Sequence, residues 1–174
     1  MTPNTDNNEQ FTGLILLTGL DKPGIASALF ETLSPFAITI LDIEQLIISD
    51  RLILTVLIGL NPSHQKAIET DLEECATSNE VDIATLFAAR TITLANSDLV
   101  DVVVTSEKLH PKTIFEITSL VQSLDANIES VVRLASNPLT LCFSLSGTTM
   151  NLCSNVFAST SFEDGSKLSI KARG

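Results

Sequence analysis

The chain has 174 residues, of which 44% are hydrophobic, and a formal net charge of −11 at pH 7. This length allows one sizeable core or two small ones. The acidic balance argues against binding to nucleic acid or to an anionic membrane surface, because both need clustered Lys and Arg. Residues 1–10 lack the apolar segment of a signal peptide and no apolar run approaches a membrane span, so we expect a disordered tail at 1–10 and a soluble, cytoplasmic protein.

The first half of the chain predicts a strand, a turn and a helix in that order. Residues 13–19 form a short apolar run typical of a central strand, which ends in the turn Asp21-Lys22-Pro23-Gly24. Pro23 suits the first turn of the following helix, and Asp21 can cap that helix. Apolar residues then return at helical spacing and form one stripe: Ile25, Leu29, Leu33 and Phe36.

A hairpin and a second helix follow. Residues 38–48 and 52–60 are rich in Ile, Leu and Val and flank the turn Ser49-Asp50-Arg51. Ser63 suits the N-cap position of a helix that buries Ile68, Leu72 and Cys75. With a fourth strand at 81–88, this half has the order βαββαβ.

The second half repeats the pattern at a nearly constant spacing. Pro23 corresponds to Pro111 and Ile40 to Ile128, in both cases 88 residues later, and residues 14–17 align with 102–105. After the hairpin the spacing is 87 residues. The second copy has predicted strands at 99–105, 126–135, 138–145 and 168–172 and predicted helices at 111–124 and 149–160.

The repeat predicts two domains of one fold, at residues 11–90 and 98–174. The connector at 90–97 is too short and too apolar for a flexible linker, so we expect the domains to lie against each other.

The residue types needed for catalysis or metal binding do not cluster in the sequence. Cys75, Cys142 and Cys153 form no C-x-x-C pair and are expected to be buried free thiols of a reducing cytoplasm. His64 and His110 have no partner at helical spacing, so neither a metal site nor a Cys-His nucleophile is indicated.

Three stretches resemble a known family. The Asp21-Lys22-Pro23-Gly24 turn after a strand and before a helix is similar to the ACT domain, a regulatory module that senses amino acids. The stretch Leu41-Asp42-Ile43-Glu44-Gln45, with Ala126-Asn127-Ile128-Glu129-Ser130 in the second copy, resembles the paired ACT domains that precede the catalytic domain of actinobacterial-type phosphoserine phosphatases. The resemblance implies two ferredoxin-like βαββαβ domains in tandem, each an antiparallel four-stranded sheet with helices in the α+β class.

The catalytic motif of those phosphatases has no match in this sequence. The haloacid dehalogenase superfamily carries its nucleophile in Asp-x-Asp-x-Thr/Ser after a strand, whereas the stretch from Asp98 to Asp101 opens a predicted strand rather than following one and lacks that spacing. We therefore expect these residues to be the regulatory half, with no catalytic residue and no cofactor. Magnesium is expected only for a catalytic domain outside these residues.

The resemblance and the helix start point to a ligand site at Asp21, Lys22, Pro23 and Gly24. Unpaired N–H groups and the partial positive charge of a helix N-terminus suit an amino-acid carboxylate. The second copy has Leu109 and Lys112 in place of Asp21 and Gly24. It keeps the Asn127 that ACT domains use near the ligand, so one composite site is expected, although the turn can also be only a tight connection.

The resemblance implies a sensor of serine or a related small amino acid that regulates a phosphoserine phosphatase of serine biosynthesis and forms a homo-oligomer, most simply a dimer. Ile43, Leu46, Ile47 and Ile48 would form an apolar strand edge for a partner to cover. Two alternatives stay open: a free-standing two-ACT regulator resembling the glycine cleavage repressor, and a purely structural dimerisation module.

Overall fold

The computed structural model describes residues 9–91 and 98–173. Most of the predicted disordered tail, and residues 92–97 of the predicted connector, lie outside the described residues. Glu9 and Gln10 belong to the first strand rather than to a tail. The described chain divides into two compact units, and each is a βαββαβ fold.

The first unit is one antiparallel sheet with two helices. Its strand order is β2-β3-β1-β4, so β2 and β4 are the edges. A short 3-10 turn at Pro62–His64 precedes the second helix. The elements are β1 at Glu9–Leu20, α1 at Ile25–Leu33, β2 at Thr39–Ile48, β3 at Arg51–Gly59, α2 at Gln65–Asn79 and β4 at Asp82–Thr91.

The second unit repeats this topology with the order β6-β7-β5-β8. Its elements are β5 at Leu99–Ser106, α3 at Pro111–Ser123, β6 at Asn127–Ser136, β7 at Leu139–Ser146, α4 at Met150–Phe157 and β8 at Lys167–Arg173. The predicted fold class is confirmed: two four-stranded antiparallel sheets of the ferredoxin-like type stand in tandem. No helix in the described ranges has the length and apolar character needed to cross a bilayer.

Each core lies between one face of the sheet and the helices. In the first unit Ile15 and Leu17 of β1 pack in one buried cluster with Leu29 of α1 and Leu72 of α2. In the second unit Val102 of β5 lies in the equivalent buried cluster, together with Ile117 of α3, Phe143 of β7 and Cys153 of α4. The three cysteines are buried and free, as predicted.

The predicted alignment of β1 with β5 is wrong by one residue. Ile15 pairs with Val56 on β3, and Val102 pairs with Phe143 at the equivalent place on β7. Val102 therefore corresponds to Ile15, and not to Leu14. A one-residue slip moves a side chain to the other face of a sheet. The difference arises because the chain has one more residue between equivalent core positions in the second unit, with 15 residues from Val102 to Ile117 against 14 from Ile15 to Leu29.

The predicted helix starts at Asp21, Pro23 and Ser63 also need correction. The N-cap of α1 is Gly24, so Pro23 lies before the helix and Asp21 does not cap it. The side chain of Asn61, not of Ser63, accepts the capping hydrogen bond before α2, from the backbone N–H of Ser63 at 3.0 Å. Pro111, in contrast, occupies the first residue of α3, where its missing N–H costs nothing.

Candidate functional site

The turn between β1 and α1 holds four of the predicted ligand-binding residues, Asp21 to Gly24, side by side and exposed. The backbone N–H of Asp21 donates to the carbonyl of Asp50 at 2.9 Å, which ties the turn to the β2–β3 hairpin. Gly24 has a φ of 91°, and a Cβ atom there would meet no atom of the described chain within 4 Å. Glycine is therefore favoured here for its backbone conformation, and the space above it is open.

The N-terminal end of α1 is available to a ligand. No side chain in the described part of the protein caps it, and its first turn carries no acidic residue. The first helical hydrogen bond joins the N–H of Ala28 to the carbonyl of Gly24 at 2.9 Å. The N–H groups of residues 25–27 therefore have no partner within the helix. Together with the helix dipole they suit a carboxylate.

Lys22 brings a positive charge to the same turn. Its Nζ lies 3.4 Å from Oε2 of Glu80, and the two side chains are 50% and 81% exposed. Exposed ion pairs contribute roughly 0–1 kcal/mol, so little free energy holds Lys22 to Glu80. An anionic ligand can compete with Glu80 for this ammonium group.

The equivalent helix end in the second unit is filled by a carboxylate of the protein itself. Oδ2 of Asp164, in the loop between α4 and β8, accepts from the backbone N–H of His110 at 3.1 Å and from the hydroxyl of Thr113 at 2.5 Å. Oδ1 accepts from the backbone N–H of Ser166 at 3.0 Å. The adjacent Ser166 side chain, the Thr113 hydroxyl and these N–H groups hold the pKa of Asp164 well below its usual value. Asp164 is therefore ionised at neutral pH.

A cavity of about 170 Å³ lies at this second helix end. Nζ of Lys112 lies 2.9 Å from Oε1 of Glu163, and this contact raises the pKa of Lys112 and lowers the pKa of Glu163. The lining thus already contains three carboxylates for one lysine, which disfavours a further anion. The lining residues are His110, Lys112, Thr113, Glu116, Glu163 and Asp164.

Asn127 is exposed at the start of β6 in the second unit. Its Nδ2 donates to Oε1 of Glu129 at 3.0 Å, and the hydroxyl of Ser146 donates to the same oxygen. These two contacts, with Ser146 the stronger, lower the pKa of Glu129. The structure therefore brings Asp21 to Gly24 together and places Asn127 on a carboxylate of its own unit. The composite site stays a prediction.

Asp164 is the residue at these turns that sequence reasoning missed. It comes 51 residues after Thr113, and the contact between them joins two separate elements. The local signal is only an acidic residue before Gly165, whose φ is 75°. Such a pattern predicts a turn and says nothing of a distant partner.

The two sheets differ on the face opposite the helices. In the first unit Leu14 pairs with Leu57 on one side and Leu86 on the other, and Leu14 and Leu86 are 42% and 52% exposed. We call this surface the first open face. It continues into Leu16 and Leu46, which are also exposed. The predicted apolar edge on β2 is exposed as well: Ile43, Leu46, Ile47 and Ile48.

The corresponding surface of the second unit, the second open face, is polar around Asp101. Asp101 takes the place of Leu14 and pairs with Ser144 and Lys171. The hydroxyl of Ser144 donates to Oδ1 of Asp101 at 2.8 Å, and Nε of Arg173 lies 3.2 Å from Oδ2. The two units therefore present different surfaces from one topology.

The described residues contain no group of three or more His, Cys, Asp or Glu side chains placed to hold a metal ion.

The first unit matches a known family model. The ACT domain family model matches residues 12–85. Phosphoserine phosphatase SerB2 of Mycobacterium tuberculosis is 37% identical over 73 residues, which cover 41% of this chain and 18% of that protein. The phosphoserine phosphatase of Streptomyces coelicolor is 36% identical over 61 residues, 35% of this chain and 14% of that protein. The match thus spans less than a fifth of either relative.

Two solved structures share the fold along nearly the whole chain. A putative glycine cleavage system transcriptional repressor superposes with a TM-score of 0.73 at 16% identity, covering 94% of this chain and 98% of that chain. A protein from Galdieria sulphuraria superposes with a TM-score of 0.63 at 15% identity, covering 95% of this chain and 99% of that one. Residues 12–85 of the first unit thus match the ACT domain model, the second unit repeats the same fold, and the sequence similarity to the two phosphoserine phosphatases extends over the length of about one unit.

Proposed function

We propose that this chain is an amino-acid-sensing regulatory module whose ligand binds at the N-terminus of α1. The observation that carries the proposal is the contrast between two equivalent helix ends. In the second unit the end of α3 holds the Asp164 carboxylate. In the first unit the end of α1 has no cap from the described residues and no acidic residue in its first turn.

The chemistry of the first turn suits a small zwitterion. The free N–H groups of residues 25–27 and the ammonium of Lys22 favour a carboxylate, and Asp21 offers an acceptor for an ammonium group. Both charged side chains are exposed beside Gly24. L-serine is our first candidate because the relatives are phosphoserine phosphatases.

The regulated activity in this proposal is a phosphoserine phosphatase of serine biosynthesis, with the catalytic domain outside these residues. The purified chain alone is then expected to show no magnesium-dependent hydrolysis of phosphoserine. Hydrolysis above the level of contaminants would contradict the assignment of a regulatory role.

A thermal-shift screen of the common amino acids tests ligand binding. A ligand at about 100 times its Kd stabilises the folded state by roughly 2.7 kcal/mol, which gives a measurable rise in Tm. Gly24→Val should remove the response, because valine strains a backbone with a φ of 91° and distorts the helix end. Lys112→Val in the second unit should leave it unchanged.

Ser27→Asp separates loss of binding from loss of folding. Ser27 is exposed in the first turn of α1, so a carboxylate there occupies the helix end and stabilises the helix by roughly 0.3–1 kcal/mol. The variant should fold well and not respond to the ligand. Asn151→Asp, which adds the same charge to the first turn of α4, is the matched control and should respond like the wild type. The site assignment is wrong if Ser27→Asp keeps the full response.

A second candidate function is regulation through protein contacts, with the two units as an assembly module. The apolar first open face favours it, because exposed apolar patches of this kind mark interaction surfaces. The repressor with the same fold belongs to the class we considered from the sequence. Sedimentation of the purified chain distinguishes the two candidates when no amino acid shifts Tm: self-association without a ligand response favours the assembly module.

A further inference from the structure

We propose that the Asp164 carboxylate is a built-in substitute for an external anion at the N-terminus of α3, and that it closes the second turn to ligands. The contact works as an autoinhibitory latch between the α4–β8 loop and the β5–α3 turn. It leaves at most one of the two equivalent helix ends open to a free carboxylate. The proposal concerns the second unit alone and does not depend on amino-acid binding in the first.

The geometry of the contact is that of a bound carboxylate. One oxygen of Asp164 receives a backbone N–H at the helix end, from His110 at 3.1 Å, and a side-chain hydroxyl, from Thr113 at 2.5 Å. The other oxygen receives the N–H of Ser166 at 3.0 Å. Thr113 is 3% exposed, so its hydroxyl would be buried without an acceptor if Asp164 were absent.

The equivalent end of α1 shows what the fold looks like without the latch. No side chain of the described chain caps α1, and Gly24 replaces the extended residue His110 at the N-cap. The corresponding loop of the first unit joins α2 to β4 through Glu80 and Val81 alone, and its carboxylate, on Glu80, contacts Lys22 at 3.4 Å without capping α1. The longer loop of the second unit, residues 158–166, makes the latch possible.

An internal carboxylate excludes a free one by effective concentration. A group held by a short loop acts at about millimolar effective concentration or above, so a free anion must exceed that level to replace it. Glu116 and Glu163 line the same cavity and oppose entry of a second anion. The wild-type second turn should therefore not respond to a free carboxylate.

Chemical rescue tests the latch. Asp164→Ala leaves a space the size of a small carboxylate above His110 and Thr113. We expect this variant to have a lower Tm than the wild type, and we expect sodium formate to raise its Tm in a saturable way relative to sodium chloride at the same ionic strength. The amide signals of His110 and Thr113 should shift with the same formate dependence in two-dimensional ¹⁵N spectra.

Two variants are the controls. Glu163→Ala removes the neighbouring carboxylate and the contact with Lys112 but keeps the latch, so formate should have no specific effect. Asp164→Asn keeps the volume of the side chain in the cavity, so formate should have little effect there either. If Asp164→Ala folds poorly, the yield of folded protein with and without formate replaces Tm as the readout.

The outcomes separate the latch from an ordinary surface contact. Rescue of Asp164→Ala by formate, without rescue of Glu163→Ala, supports it. The proposal is overturned if formate moves neither Tm nor the amide signals of Asp164→Ala, or if it moves those of the wild type to the same extent. An amino-acid screen that fails on the first turn would not change either result.

Discussion

The β1–α1 and β5–α3 turns occupy equivalent places in the two units. They differ in whether a side chain of the protein binds at the start of the helix. At the first turn a glycine with a φ of 91° precedes a helix whose first N–H groups are free of any cap within the described chain. At the second turn the Asp164 carboxylate accepts from the N–H of the N-cap residue His110 and from the hydroxyl of Thr113. A repeated domain can therefore leave a helix end uncapped in one copy while the other copy ties the corresponding turn to a carboxylate of its own.

The sheet faces differ in a parallel way. The first open face centres on Leu14, whereas Asp101 stands at the equivalent position of the second open face and carries an ion pair with Arg173. The same topology therefore carries an open face centred on a leucine in one unit and on an ion-paired aspartate in the other. The first unit carries the features expected of an interaction domain at both its turn and its face.

The largest expected effect comes from the register of β1. Ile15→Ala should lower the free energy of unfolding of the first unit by about 2–5 kcal/mol, because Ile15 is fully buried in the core. Leu14→Ala, one residue away on the open face, should lower the free energy of unfolding by well under half as much. Urea titration of both variants checks the difference, and an equal or larger cost for Leu14→Ala would contradict the register.

Replacing three residues of the first open face by their counterparts from the second open face tests the role of the first open face. The triple change Leu14→Asp, Leu57→Ser and Leu86→Lys copies Asp101, Ser144 and Lys171 onto their equivalent positions. We expect the variant to stay folded and to lose any self-association of the wild type, because the apolar patch is removed. Sedimentation velocity gives the mass of both proteins. A wild-type oligomer that survives the transfer would place its interface elsewhere, for example on the edge of β2.

A smaller effect concerns pH and the second turn. The pKa of Asp164 is lower in the folded protein than its unfolded value of about 3.9, so its contribution to stability is present above about pH 4 and is lost as the pH falls further. The difference in unfolding free energy between wild type and Asp164→Asn should therefore shrink below about pH 4. A difference that stays constant from pH 6 to the acid range would show that the Asp164 charge contributes nothing.

The fold was predictable from the sequence because its signals are local and repeated. The helical stripe of Ile25, Leu29 and Leu33 and the hairpin strands of β2 and β3 follow from apolar period and turn residues. The alignment of β1 with β5 failed because the aligned stretches, residues 14–17 and 102–104, are apolar at every position, so alternation gives no register there.

The first candidate turn was also predictable, since Asp21 to Gly24 is one continuous stretch. Asp164 was not, because its role depends on Thr113 and His110 across a loop that sequence spacing does not place. The polar second open face was missed for a related reason: once β5 is shifted by one residue, Asp101 and Val102 exchange faces.

A titration of ¹⁵N-labelled protein with L-serine tests whether the N-terminus of α1 binds the ligand. We expect saturable shifts of the backbone amides of Ile25, Ala26 and Ser27, with no comparable shift at His110 or Thr113 of the second turn. Shifts confined to the second turn would contradict it. So would unchanged spectra with L-serine and with every amino acid that raises Tm.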